Sequence, residues 1–188
     1  NGPEVVGKLN LADLSVPSDV FDAIEPSVRM LSYEDQVRKM PVRNRNAHKT
    51  NHGHVLVVGG DHGMAGAVAM AAEAAMYSGA GLVSVATHPT SVSPLVARRP
   101  EVMTRGVTTV DELKALIDRA TVVVVGPGLG SDSTWGSELF NVVLESELPM
   151  IIDADGLNLL SRLPRKFVKR DNWILTPHPG EARNLLEQ

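Results

Sequence analysis

The sequence predicts an α/β domain of three layers, with helices on both faces of a mostly parallel sheet. Three observations lead there. Runs such as Val55-Leu56-Val57-Val58 and Val122-Val123-Val124-Val125 are apolar on both faces, and strands buried on both sides belong to parallel sheets covered by helices. These runs alternate with helical segments, which implies right-handed crossovers between parallel strands. Each predicted strand ends in a glycine-rich or polar turn, and in open parallel sheets ligands gather outside the carboxyl ends of the strands.

From Asn1 to about Val42 the pattern is irregular, because Pro3, Pro17, Pro26 and Pro41 interrupt short apolar runs and leave one predicted helix, Tyr33 to Lys39. Residues 1–33 read as a tail or linker and 34–188 as the domain. The domain then runs as strand His54 to Val58, helix Ala65 to Ser78, strand Leu82 to Thr87, and helices Ser91 to Ala97 and Asp111 to Arg119. It continues with strand Thr121 to Val125, helix Thr134 to Glu145, strand Met150 to Ile152, helix Leu157 to Leu163, strand Trp173 to Leu175 and helix Pro179 to Gln188. A sheet of about five strands would leave its last edge bare. Further sequence after Gln188 is therefore expected, and the absent initiator Met points to a processed or excised piece.

Composition narrows the function classes. The 188 residues carry 18 Lys+Arg against 22 Asp+Glu, a net charge of −4, with 43% hydrophobic and 4% aromatic residues, which suits one compact domain with an aliphatic core. The acidic balance argues against a nucleic-acid partner, since phosphate binders carry a basic excess. No run approaches the roughly 20 apolar residues of a membrane helix, and Asn1 to Lys8 lacks the order of a secretion signal. With no Cys there is no thiolate nucleophile, Cys-ligated zinc or disulfide, so a cytoplasmic setting is the default. The basic stretch Arg38, Lys39, Arg43, Arg45 and Lys49 reads most simply as a solvated linker, and His48, His52 and His54 match no zinc spacing.

Four turns carry the chemistry. Gly59-Gly60-Asp61-His62-Gly63-Met64-Ala65-Gly66-Ala67-Val68 opens an alanine-rich helix. Its glycines let backbone N–H groups approach a ligand, and the helix start offers partial positive charge to an anion, although tight helix packing on the sheet would also select Gly and Ala. It is neither a G-x-G-x-x-G fingerprint nor a Walker loop. Gly126-Pro127-Gly128-Leu129-Gly130 follows the four-valine strand, with Ser133 as the predicted N-cap, so several donors can converge where the helix begins, in a cradle or in an ordinary turn. Asp153-Ala154-Asp155-Gly156-Leu157-Asn158 sets two carboxylates at a strand end, where they suit a substrate hydroxyl or hydrated Mg²⁺, unless Asp155 simply caps a helix starting at Gly156. In Thr176-Pro177-His178-Pro179-Gly180-Glu181 the prolines hold His178 stiffly at the strand mouth, and Glu181 sits in the first helical turn, where the dipole also favours it.

Together these turns resemble the ADP- or ATP-dependent NAD(P)H-hydrate dehydratases, a branch of the ribokinase-like superfamily. The matching residues are His48-Lys49, Val55 to Ala67, Ser78 to Val83, Pro100 to Met103, Gly126 to Gly130, Asp153 to Asn158 and Thr176 to Glu181, seven motifs in order over about residues 34–188. Residues before them resemble the join to an NAD(P)HX epimerase domain in bifunctional members. The resemblance implies repair of hydrated NADH or NADPH: ADP or ATP, with Mg²⁺, phosphorylates the ring hydroxyl and phosphate is eliminated. It implies substrate contacts at Ala67 or Val68, Gly126, Gly128, Gly130 and His178, with Asp155 and Asn158 in the adjoining motif. Glu181 falls where superfamily kinases organise Mg²⁺. Thr50 and Gly156 depart slightly from the pattern. The family's Gly-Gly-x-Gly-Asp segment, whose Asp is the base, is absent from these residues, so a fragment with the substrate-side half of the site and little activity is expected, and its catalytic residue is not assigned. Two other readings stay open: a ribokinase-like kinase for a vitamin precursor or sugar, and a non-catalytic assembly module. Homo-oligomerisation through the bare sheet edge is the expected assembly.

Overall fold

The computed structural model describes residues 7, 10, 12, 14–25, 31–40, 42–164 and 170–187. The chain divides into two compact units, Asn1–Asn44 and Arg45–Gln188. The first carries α1 (Ser18–Ala23) and α2 (Tyr33–Lys39). Helix α2 is the predicted one, and the Ser32 side chain caps it by accepting the Asp35 N–H. Helix α1 was not expected. It is six residues long and buries none of them, so no apolar stripe announces it.

The second unit is built on six strands in the order β3-β2-β1-β4-β5-β6, and every pairing is parallel. In chain order the elements are β1 (His54–Val58), α3 (Ala65–Tyr77), β2 (Leu82–Thr87), α4 (Val92–Arg98), β3 (Met103–Gly106) and α5 (Val110–Ile117). Then come β4 (Val122–Val125), α6 (Thr134–Glu145), β5 (Met150–Ile152), α7 (Asp155–Leu160), β6 (Trp173–Leu175) and α8 (Pro179–Leu186). The sheet thus has one strand more than expected. β3 is an edge strand that buries only Thr104, so it lacks the apolar run by which the other strands are recognised.

From β1 the chain steps outward through α3 and α4 to β3, then returns through α5 to β4 and steps the other way through α6 and α7. Right-handed crossovers taken in opposite directions deposit their helices on opposite faces. Leu56, Val58, Val123, Val125, Met150 and Ile152 accordingly pack with Leu113, Phe140 and Leu157 of α5, α6 and α7, while Val57, Val83 and Val85 pack with Val68, Ala69, Ala72 and Leu95 of α3 and α4. The direction reverses between β1 and β4, which makes that gap the topological switch point.

One expectation needs correcting: the four-valine strand is not buried on both sides. Val123 and Val125 are buried, whereas Val122 and Val124 are half-buried. The paired row Val57, Val124, Ile151, Ile174 runs from fully buried at Val57 to 61% exposed at Ile174, because no described helix extends the α3 layer over β5 and β6. A groove of about 610 Å³ between α3 and this row is lined by Val55, Ala71, Ala75, Val124 and Ile151. Among the described residues no helix is long and apolar enough to cross a membrane.

Candidate functional site

Because all strands are parallel, the turns after β1, β4, β5 and β6 lie along one edge of the sheet. The first two are joined. Gly60 N–H donates to the Pro127 carbonyl at 3.0 Å and Asp61 N–H to the Gly128 carbonyl at 2.7 Å, extending the β1–β4 ladder past the strand ends at the switch point. Leu129 N–H donates to the Gly126 carbonyl at 3.0 Å; with Pro127 second and Gly128 third at φ +59°, this is the pattern of a type II turn. Gly126 sits at φ +122°, and a Cβ there would overlap the Asp153 carbonyl, so the ends of β4 and β5 meet only over glycine.

The two carboxylates after β5 are braces within the protein. Asp155 Oδ2 accepts the Gly130 N–H at 2.8 Å, tying the glycine loop to α7, and Asp153 Oδ1 accepts the Thr176 hydroxyl at 2.8 Å, tying β5 to the turn after β6. The alternative in which Asp155 caps its helix is corrected. Helix α7 begins at Asp155 itself, with Ala154 in the N-cap position at φ 47°, ψ −120° and no side-chain cap. That conformation is costly for a residue with a Cβ. Asn158 is half-buried on α7, its N–H donating to the Ala154 carbonyl at 3.2 Å.

His178 caps α8. Its Nδ1 accepts the N–H groups of Gly180 at 3.0 Å and Glu181 at 3.2 Å, which puts the neutral ring's hydrogen on Nε2, 3.3 Å from Glu181 Oε1. Glu181 Oε2 accepts the His178 N–H at 2.9 Å. This reciprocal pairing is a capping box. Both Glu181 oxygens thereby face His178, and Glu181 is only 8% exposed. Among the described residues no group of three or more His, Asp or Glu side chains converges, so a Mg²⁺ ion here would take at most one or two protein carboxylates, with water and phosphate oxygens completing its shell.

Of the remaining predicted contacts, Val68 is fully buried beneath Gly60, whose added Cβ would meet its side chain; Val68 is a core residue and shows no surface to a ligand. Ala67 is half-buried and lies against Gly128. Gly126 and Gly128 are buried and Gly130 half-buried.

At the start of α3, where the sequence suggests backbone donors, the structure specifies which ones are left over. Thr109, Ser133 and His178 cap α5, α6 and α8 with side chains, but Met64 at the N-cap of α3 supplies none. The N–H groups of Ala65, Gly66 and Gly128 have no acceptor among the described residues. Nothing lies within 4 Å of where a Cβ on Gly63 or Gly66 would stand, so the approach is open. Backbone donors at a helix start beside a glycine turn suit an anionic or hydroxyl-rich group. A Met at the N-cap, where Ser, Thr, Asp or Asn is usual, was the available signal.

Comparison with known proteins agrees with this geometry. A family profile described as NAD(P)H-hydrate dehydratase matches residues 55–188. The bifunctional NAD(P)H-hydrate repair enzyme of Coxiella burnetii is 50% identical over 184 residues, which are 98% of this chain and 37% of that protein. The ADP-dependent (S)-NAD(P)H-hydrate dehydratase of Lactiplantibacillus plantarum is 39% identical over 145 residues, 76% of this chain and 52% of that one. The crystal structure of the ADP/ATP-dependent NAD(P)H-hydrate dehydratase of Bacillus subtilis, co-crystallized with ATP/Mg²⁺, superposes with a TM-score of 0.66 at 30% identity, covering 82% of this chain and 55% of that one. The chain spans little more than half of these relatives at most. By profile, sequence and three-layer ribokinase-like fold, it belongs to the NAD(P)H-hydrate dehydratase family.

Proposed function

We propose that these residues form the substrate-side half of a nucleotide-dependent dehydratase, a carbon–oxygen lyase that returns hydrated NADH or NADPH to the reduced dinucleotide. The observation that carries this reading is the open cradle at the switch point, where the N–H groups of Ala65, Gly66 and Gly128 lack acceptors among the described residues. A dinucleotide brings pyrophosphate oxygens and ribose hydroxyls to such donors. In this reading Ala67, Gly128 and Gly130 lie against the substrate. Gly126 and Asp155 hold the glycine loop in place, and Asn158 and His178 form the far rim. ADP or ATP is the second substrate, and Mg²⁺, when bound, neutralises charge on the transferring phosphoryl group. Glu181, which orients the His178 turn, is the residue of this chain proposed to help organise that ion. A cytoplasmic setting fits a chain without cysteine, and a homo-oligomer formed over the exposed β6 side is the assembly we propose.

The test uses the 188-residue chain. Incubated with hydrated NADH, Mg²⁺ and either ADP or ATP, it is expected to restore no NADH absorbance, since the Gly-Gly-x-Gly-Asp segment is not among its residues. Titrated with NADH, it is expected to show saturable shifts of the Gly128 and Gly130 amide signals. Turnover would overturn the half-site assignment, and unmoved amides would overturn the substrate assignment.

A further inference from the structure

Beside the cradle, three aromatic rings stand in a row. His62 belongs to the turn after β1, His88 follows β2 directly, and Trp135 is in the first turn of α6. His62 and His88 have centroids 6.1 Å apart at 79°, and His88 and Trp135 lie 5.7 Å apart at 80°, an edge-to-face chain. The row is continuous with the cradle's backbone: His88 N–H and Thr87 Oγ1 both donate to the Gly60 carbonyl, at 3.3 and 2.7 Å. Trp135 Nε1–H donates to the Val107 carbonyl at 2.9 Å, which fixes the third ring.

One hydroxyl sets the tautomers of both histidines. Thr90 Oγ1 is 2.8 Å from His88 Nδ1 and 3.3 Å from His62 Nδ1. His88 Nδ1 also receives the Thr90 N–H at 3.4 Å, so in the neutral ring it is an acceptor and the ring hydrogen is on Nε2. The Thr90 hydroxyl then gives its single hydrogen to His88 and has a lone pair left for a hydrogen on His62 Nδ1. With both rings neutral, this arrangement leaves His62 Nε2 as an acceptor and His88 Nε2 as a donor, and neither atom has a partner among the described residues. Capping the short turn at Pro89–Ser91 requires only His88 Nδ1; it accounts for neither His62 nor the two outward nitrogens.

We infer that His62 and His88, oriented by Thr90 and backed by Trp135, form a second recognition element of the site that reads a donor–acceptor edge of a planar heterocyclic group. This rests on the proposed dinucleotide reading and deepens it. An adjacent N–H donor and lone pair complement a carboxamide, which offers C=O and N–H, or the N1/N6 edge of adenine. A phosphate or carboxylate offers acceptors alone and would meet the His62 lone pair unfavourably. The dinucleotide contains both matching groups, at opposite ends, and fragments tell them apart.

The experiment follows the ring C–H signals of His62 and His88 by NMR in the 188-residue chain, titrated separately with nicotinamide mononucleotide, with AMP and with inorganic phosphate. Saturable shifts of both rings are expected with one nucleotide fragment and none with phosphate: nicotinamide mononucleotide identifies the carboxamide, AMP the adenine edge. Thr90→Val keeps the side-chain shape but breaks the relay, and His62→Phe keeps a ring but removes the lone pair. Each is expected to weaken that fragment about tenfold, the loss of roughly one well-placed hydrogen bond. Rings silent to both fragments, equal shifts with phosphate, or unchanged affinity in both variants overturns the inference. If NADH moves the Gly128 and Gly130 amides while the rings stay silent, this inference fails and the dinucleotide reading stands. If the fragments move the rings but NADH leaves those amides still, the rings recognise a heterocycle but the dinucleotide reading on which the inference rests fails.

Discussion

Gly126→Ala places one carbon where the structure has room for none. At φ +122° an L residue is strained, a cost of about 1–3 kcal/mol. The added Cβ overlaps the backbone carbonyl of Asp153, which cannot swing aside as a side-chain end would, because the Asp153 N–H is bonded to the Val125 carbonyl at 3.1 Å and its carbonyl accepts the Gly156 N–H at 2.9 Å. Relief comes only by parting the ends of β4 and β5, an overpacking cost of about 1–3 kcal/mol. Together the penalty is about 2–6 kcal/mol, a large share of the roughly 5–15 kcal/mol that holds a domain together. With a urea slope of about 2 kcal/mol/M, the unfolding midpoint falls by roughly 1–3 M. The intrinsic fluorescence of Trp135 and Trp173, the two tryptophans of the chain, reports the transition. Gly66→Ala is the matched control, adding the same carbon in α3 where nothing lies within 4 Å, and it should stabilise by about 0.5 kcal/mol through the unfolded state while obstructing NADH at the cradle. A Gly126→Ala midpoint equal to that of the unsubstituted chain, or equal losses in the two variants, would refute the close-approach argument.

Three further predictions follow from side chains at the same edge and on α3. Asp155→Ala removes the charged acceptor of the Gly130 N–H and should cost about 1.5–3 kcal/mol, with Asn recovering roughly half; equal thermal midpoints for all three chains would show that the brace is idle. Ala154→Gly relaxes the φ 47°, ψ −120° backbone and should raise stability by about 1 kcal/mol in urea unfolding, whereas a loss would mean that the strain is not there. Glu73 accepts Arg98 Nε at 2.8 Å and Nη2 at 3.0 Å, and Arg99 Nε at 2.8 Å; these bonds, Arg98 first, hold its carboxyl at about 2 instead of 4.5. A carboxyl lowered on folding stabilises the folded state fully above its unfolded value and loses that contribution as pH falls through its folded value, so the contribution should fade between pH 4.5 and about 2. Urea midpoints across that range should drop less steeply for Glu73→Gln, and parallel curves would contradict the assignment.

Five of the six strands and most helices could be read from the chain because each places apolar residues at its own period, a local property. The two elements not anticipated lack that signature: β3 buries one residue at the sheet edge, and α1 buries none. The four turns were legible for the same local reason, as glycine, proline and carboxylate clusters at strand ends. Their connections were not. Asp155 meets Gly130 across 25 positions and Asp153 meets Thr176 across 23, and neither pairing has a sequence pattern.

What the amino-acid order determined by itself was the alternation of strand and helix, the punctuation between them and the family those motifs resemble. Tertiary structure alone decided which polar groups were consumed and which were left over. The carboxylates of Asp153 and Asp155 each commit one oxygen to an internal brace, because strand ends brought together by parallel pairing put donors within their reach. Meanwhile the backbone donors of Ala65, Gly66 and Gly128 at the switch point were left without acceptors among the described residues. Hydrogen-bond supply and demand along this edge is set by which chain segments become neighbours, and that follows from the crossover topology.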